Sequence, residues 1–268
     1  MKVRSGAALA VALLAGCGGP REAAVPSPPV NSATLALEGK RLLALGQADS
    51  AAVILTQALG LDSSNAPARE DLARARYQRA MESDTLRRRG VLREAYASYR
   101  DLEDRGWTDL VVYDRLCELA QTIGDTAGFV RYASRAAERF PNDRQMLNLG
   151  AAQLSAGRYQ EVLKSQKEAI ERFPDSPYRS GFYRLLGEAY VRVDRYQTAQ
   201  RILAEGVGEA EKAVAAGLAE EEDPATHRRI EQDRIAMLLS LQRLYSIYDE
   251  HEKLREVERR LKNAGRMQ

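Results

Sequence analysis

Met146-Leu147-Asn148-Leu149-Gly150-Ala151-Ala152, continuing through Gly157-Arg158-Tyr159, Val162 and Ala169 to Pro174, is the stretch on which the fold turns. It returns as Tyr183-Arg184-Leu185-Leu186-Gly187-Glu188-Ala189-Tyr190, then Asp194-Arg195-Tyr196, Ala199 and Leu203. Apolar residues recur at helical spacing, and each copy is interrupted midway by a Gly or an Asp. The pattern reads as two antiparallel helices per copy. Gly150 and Gly187 let the first helix approach its partner closely, and Ala199 does so from the second. Gly157 and Asp194 support the reversal between helices. Pro174 stops the second helix, since its ring removes a donor and clashes with the preceding turn.

Working outward, the copies recur with a period of about 34 residues. A first unit spans Ser32–Asn65, with Gly39, Leu42, Gly46, Ala51, Leu55 and Ala58. A second spans Ala66–Arg105; its first helix, from Pro67, is expected to run about ten residues beyond the norm, and its second half carries Gly90, Ala95, Tyr99 and Leu102. A third spans Leu110–Pro141, with Cys117 in the small-residue slot, Gly124 at the turn, and Ala133 and Ala136 behind it. That register predicts Cys117 as a buried small side chain, not a reactive thiol. After the fifth unit, the helix is expected to continue through Val207-Gly208-Glu209-Ala210 towards Leu218, until Glu220-Glu221-Glu222-Asp223 and Pro224 break it. A long amphipathic helix with Ile230, Ile235, Leu238, Leu239, Leu241, Leu244, Tyr245 and Tyr248 follows, and a last helix near Lys253–Ala264. These read as a degenerate sixth pair with a polar outer face, which the end of a stacked array requires. No period-2 strand pattern is visible between Thr34 and Ala264.

The 268 residues are 44% hydrophobic, 29% charged and 6% aromatic, an ordinary globular balance. Two His and two Cys exclude a multi-ligand zinc site and a disulfide scaffold. No H-E-x-x-H, C-x-x-C or G-x-S-x-G occurs. His227 and His251 lie in charged helical stretches and read as exposed and inert. Gly39-Lys40-Arg41 lacks a preceding glycine loop, and Gly206-Val207-Gly208 lacks a third Gly and a preceding strand, so neither forms a phosphate cradle. No catalytic, cofactor or metal-ligating residue is assigned, and the chain is expected not to be an enzyme. Arg87-Arg88-Arg89 and Glu220–Asp223 read as solvated charge.

Lys2 and Arg4 precede a small, apolar run over residues 6–15, the pattern of a secretory signal too short to span a bilayer. Removing 1–16 takes two positive charges from a chain of formal net charge +2. The remainder is neutral and has no general electrostatic footprint for nucleic acid. Residues 17–31 hold four of the nine prolines and read as a semi-rigid tether. The helical domain is then 32–268.

Leu14-Ala15-Gly16-Cys17 resembles the lipobox of bacterial lipoproteins at all four positions. The resemblance implies cleavage before Cys17 and a lipid anchor on it; the alternative is an ordinary signal peptide that ends near a Cys. Gly18, where enteric inner-membrane lipoproteins tend to carry Asp, resembles an outer-membrane address facing the periplasm. The paired helices resemble the tetratricopeptide repeat, which implies an all-α superhelix of five to six hairpins with a degenerate C-terminal cap. Glu171-Arg172-Phe173-Pro174-Asp175-Ser176-Pro177-Tyr178 resembles a Phe-Pro-x-Ser-x-Tyr junction common in envelope repeat proteins. Those include the lipoprotein subunit of the β-barrel assembly machine and the coordinator of the Tol system. Lipobox, tether and repeats together also resemble the type IV pilus pilotin.

In such a superhelix the first helix of each pair lines the concave face. Projection outward gives Asp114, Glu118 and Gln121 in the third unit, Arg144, Leu147, Ala151 and Leu154 in the fourth, and Arg184, Glu188 and Val191 in the fifth. Leu147, Leu154 and Val191 occupy positions not needed for packing within a repeat, so an apolar strip flanked by Arg144 and Arg184 is expected to receive a peptide. The other reading packs that strip on the protein's own terminal segment. Lys40 and Asn148 lie in distant units and form no clamp for a carboxylate. Trp107 reads as junction packing before partner contact. The expected function is a membrane-anchored scaffold for protein partners in envelope assembly; the alternative is an accessory lipoprotein that tethers or regulates a cell-wall enzyme.

Overall fold

The computed structural model describes residues 31–83, 88–215 and 224–264. The signal sequence, Cys17, the tether before Asn31, Arg87, Leu218 and the acidic run 220–223 lie outside the described residues. Twelve helices and no strand are present among the described residues. They form six consecutive pairs: α1 (Ser32–Ala44) with α2 (Ala48–Leu61), α3 (Ala66–Glu82) with α4 (Arg88–Asp104), α5 (Leu110–Ile123) with α6 (Thr126–Arg139), α7 (Asp143–Ser155) with α8 (Tyr159–Arg172), α9 (Arg179–Arg192) with α10 (Tyr196–Ala215), and α11 (Pro224–Ile247) with α12 (His251–Ala264). Each helix packs on its neighbours in sequence, the pattern of a solenoid.

Three local devices repeat. First, α1, α3, α5 and α7 start on an Asn or Asp cap: Asn31, Asn65, Asp109 and Asn142 each accept a hydrogen bond from the backbone N–H three residues on. Such a cap satisfies an otherwise orphaned donor and contributes about 1 kcal/mol. Second, the reversals inside pairs lie in the left-handed region: Gly46, Gly124 and Gly157 at φ of 72°, 80° and 71°, Asp194 at 59° and Asp249 at 55°. Gly reaches this region freely, and Asp is among the few others that tolerate it. Third, a glycine in the odd helix faces the residue sixteen places on in its partner: Gly39 meets Leu55, Gly150 meets Gln166, and Gly187 meets Leu203, each so closely that a Cβ would overlap it. The third pair keeps the spacing with the sizes exchanged, Cys117 and Ala133, both buried.

The second pair corrects one expectation. Helix α3 is 17 residues long against 13 to 14 for α1, α5, α7 and α9, so the excess is three or four residues and not ten. Ser83 ends it in an extended conformation, with its hydroxyl donating to the Arg79 carbonyl. The prolonged α10 and the long α11 are as the apolar spacing implies.

The core runs through the stack as successive clusters. The middle is aromatic, with Tyr96 edge-on to Tyr132 at 6.2 Å and Tyr77 to Tyr99 at 6.3 Å. The C-terminal part is built on Leu186, Leu203, Val207, Met237, Leu238 and Leu241 together with Tyr183, Tyr190 and Tyr245. The ends bring charge into matching positions, although Leu37 and Val53 of the first pair stay exposed. Seven and ten residues after their caps, α3, α5 and α7 carry Leu72 and Ala75, Leu116 and Leu119, and Leu149 and Ala152. At the same places α1 carries Glu38 and Arg41, paired at 2.7 Å and exposed. Helix α12 buries only Val257 and Ala264.

Candidate functional site

The odd helices lie side by side with their N-termini along one edge. Asn65 Nδ2 donates to Ser32 Oγ at 2.8 Å, and Ser176 Oγ donates to Asp143 Oδ2 at 2.7 Å. This layer carries the concave-face candidates. Helix α1 packs on α3, α7 on α9, and α9 on α11, whereas α5 meets α3 and α7 chiefly through long polar side chains.

Those side chains pair with one another. Tyr77 donates to Glu118 at 2.7 Å while Arg115 Nη1 donates to the same carboxylate at 2.9 Å. Burial, then the Glu118 carboxylate, pushes the Tyr77 phenol up to about 12. Gln145 Nε2 donates to Asp114 at 2.9 Å, and Arg144 sits 3.6 Å from the same residue. Arg184 donates to Asp233 at 2.5 Å and to Glu188 at 2.8 Å. Burial favours the neutral guanidine, but the two carboxylates outweigh it and hold Arg184 above its ordinary value. Gln121 is exposed.

The expected continuous strip is therefore divided. Leu147, Ala151 and Leu154 are half-buried and pack α7 against Val162, Leu185 and Ala189. A Cβ on Gly181 would sit 2.8 Å from a Leu147 methyl, so Leu147 fills the space that glycine leaves. Arg144 is the exposed member, and Arg184 is tied into the α9–α11 contact. Leu147 and Leu154, expected to be free of packing within a repeat, pack on Val162 of their own hairpin as well as on Leu185 and Ala189 of the next.

Glu188 and Val191 lie elsewhere. With Arg192 on α9, and Ser240, Arg243, Leu244 and Ile247 on α11, they line a cleft of about 750 Å³. Ile247 is 70% exposed at its mouth. Past Tyr196 the cleft continues into a shallower depression lined by Arg195 and Tyr248, and the two tyrosine rings are 6.0 Å apart. Sequence reasoning took α11 as an end cap and missed its contribution. The signal was the i, i+3, i+4, i+7 register of Ser240, Arg243, Leu244 and Ile247, which marks one helix face. A second depression of about 450 Å³ lies between α1 and α3, with Leu37 and Lys40 on its rim.

The remaining candidates resolve into packing. Trp107 is half-buried against the aromatic cluster and borders a shallow surface hollow with Phe140. Cys117 is buried, and burial, then the Asp114 charge, pushes its thiol up to about 12. Gly206 lies inside α10 against Tyr183 and Met237. His227 is half-buried and His251 exposed; Arg88 and Arg89 are exposed. Among the described residues no three His, Cys, Asp or Glu side chains gather as a metal site, and no helix is long and apolar enough to cross a membrane.

No protein-family model matches the chain, and no curated protein matches it. Solved structures do. YrrB, a TPR protein with an unusual peptide-binding site, superposes with a TM-score of 0.56 at 16% identity, covering 72% of this chain and 93% of its own. A tetratricopeptide repeat protein from Parabacteroides merdae gives 0.53 at 14% identity, over 87% and 93%. Pseudomonas aeruginosa PilF gives 0.50 at 15% identity, over 87% and 90%. At these identities the likeness is one of fold, and the six stacked hairpins of this chain have the tetratricopeptide-repeat architecture.

Proposed function

We propose that the protein is a non-catalytic scaffold that holds a segment of a protein partner in the cleft between α9 and α11, and that a lipid on Cys17 fixes it to the outer membrane, facing the periplasm. The observation that carries the binding reading is the cleft itself. It joins apolar side chains to unburied charge, and Ile247 keeps 70% of its surface open. Exposed apolar surface rimmed by polar groups is characteristic of interaction sites. The anchor reading rests on Leu14-Ala15-Gly16-Cys17 and on the proline-rich residues that follow. Several acyl chains, at about 0.8 kcal/mol per buried CH₂, suffice for stable anchoring. A role in assembling an envelope complex fits the Phe-Pro-x-Ser-x-Tyr junction and the likeness in fold to PilF.

The test is photo-crosslinking in cells from Val191 and Ile247, with Arg88 as the control position, alongside palmitate labelling of the wild type and Cys17→Ala. We expect labelling that requires Cys17, and partners trapped from the cleft and not from Arg88. Capture of barrel or secretin machinery supports the assembly role. Capture of peptidoglycan enzymes replaces it with the accessory role, and indifference to position removes the cleft.

A further inference from the structure

We infer that the segment held between α9 and α11 is an acidic peptide bearing apolar side chains. This rests on the cleft being the partner-binding face. The argument is charge bookkeeping across the odd-helix layer. Its carboxylates are occupied: Asp114 by Gln145, Glu118 by Tyr77 and Arg115, and Glu188 and Asp233 by Arg184. At the cleft the excess is cationic. Arg192 and Arg243 line it and Arg195 borders its continuation, and none of the three makes an ion pair among the described residues. Asp194, the other carboxylate there, accepts from the Tyr196 hydroxyl at 2.5 Å and keeps its charge; with Arg184 shared between Glu188 and Asp233, the arginines at the cleft still exceed the carboxylates by one.

Between the arginines lie Val191, Leu244 and Ile247. A low-dielectric floor beside unpaired guanidinium groups strengthens their attraction for a carboxylate over its value in open water. Guanidinium also offers the fork geometry that suits carboxylates. The complementary ligand therefore places glutamate or aspartate next to aliphatic or aromatic residues. The chain's own acidic run cannot serve. Pro224 begins α11 nineteen residues before Arg243, about 28 Å along the helix. The eight residues joining Ala215 to Pro224 extend to roughly 28 Å in total, so they cannot reach the cleft and return.

The experiment uses the full chain, with two fluorescein-labelled octapeptides as probes: one alternates glutamate with leucine, the other lysine with leucine. Fluorescence anisotropy should show the glutamate peptide bound in preference, more weakly as salt rises. Arg192→Glu combined with Arg243→Glu, with circular dichroism unchanged, should weaken it by about tenfold or more and improve the lysine peptide, since two rim charges reverse sign. Equal binding of the two peptides, or a glutamate peptide indifferent to the double substitution, overturns the inference. Preference for the lysine peptide overturns the charge assignment while leaving the cleft as a binding face; failure to hold either peptide overturns both readings. Self-association that the double substitution abolishes, read by light scattering without peptide, assigns the cleft to a second copy and likewise overturns it.

Discussion

The α7–α8 and α9–α10 hairpins share a glycine, a left-handed turn and the same spacing, yet they differ in what the glycine faces. Gly187 meets Leu203, which is fully buried in an apolar cluster. Gly150 meets Gln166, equally buried. The Gln166 amide donates to the Met146 carbonyl at 3.1 Å and to Ser165 Oγ at 3.2 Å, but its Oε1 has no partner. Ser165 in turn donates to Gln153 at 2.7 Å. The same backbone approach is thus filled once by an apolar side chain and once by a half-satisfied polar network. The slot fixes the size of the intruding residue and leaves its chemistry to the surroundings.

The largest expected effect breaks the apolar version. Gly187→Leu drives four heavy atoms into the space of Leu203, and we expect a loss of about 3 kcal/mol or more, read as a lower urea midpoint by circular dichroism. Leu203→Gln converts this hairpin to the chemistry of its neighbour without the Ser and Gln partners. It should cost about 3 kcal/mol, from lost burial and an unpaired amide. A cost under about 1 kcal/mol would show that the network around Gln166 is not what makes glutamine tolerable. In the opposite direction, Gln166→Leu removes the orphaned oxygen and should stabilise the protein by about 1 kcal/mol; destabilisation would mean the polar network contributes more than its geometry suggests.

The third hairpin, with Cys117 in the glycine slot, sharpens the comparison by titration and carries the smallest effect. Its thiol ionises at an ordinary value of 9.0 when unfolded and is pushed up to about 12 when folded. The folded state therefore holds the proton more tightly. The stabilisation is complete below about 9 and is lost as pH rises towards about 12. Cys117→Ala should remove that component of the alkaline decline in urea midpoint, and the native thiol should resist thiol reagents at neutral pH. Rapid modification of folded protein would place Cys117 outside the core.

Much of the fold was legible because the repeat writes its packing into single residues: Gly150, Gly187 and Cys117 in the close-approach slot, Gly157 and Asp194 at the turn. The site was legible only in part. Helical spacing puts Leu147 and Leu154 at the edge of the contact within their own hairpin, where they touch Val162, but it carries no information on how the next pair leans. That lean decides whether they reach solvent or, as here, Leu185 and Ala189 as well. Arg184 is the clearest case, since its partner Asp233 lies 49 residues away across the long α10 and α11, far from the repeat period. The length of α3 escaped because Ser83, an unremarkable residue in sequence, takes an extended conformation and ends it. The caps at Asn31, Asn65, Asp109 and Asn142 were present as letters, but their common role emerges only when the hydrogen bonds align them.

A stack of like hairpins has no intrinsic reason to stop, since whatever surface receives one unit can receive another. Glu38 and Arg41, standing where later helices offer leucine and alanine, make docking at the first hairpin require dehydration of an ion pair. Helix α12, almost wholly charged outward, imposes the same barrier at the far end. A second copy stacking on either end of the described hairpins would have to strip water from these charges, a cost that counts against end-to-end growth of the array.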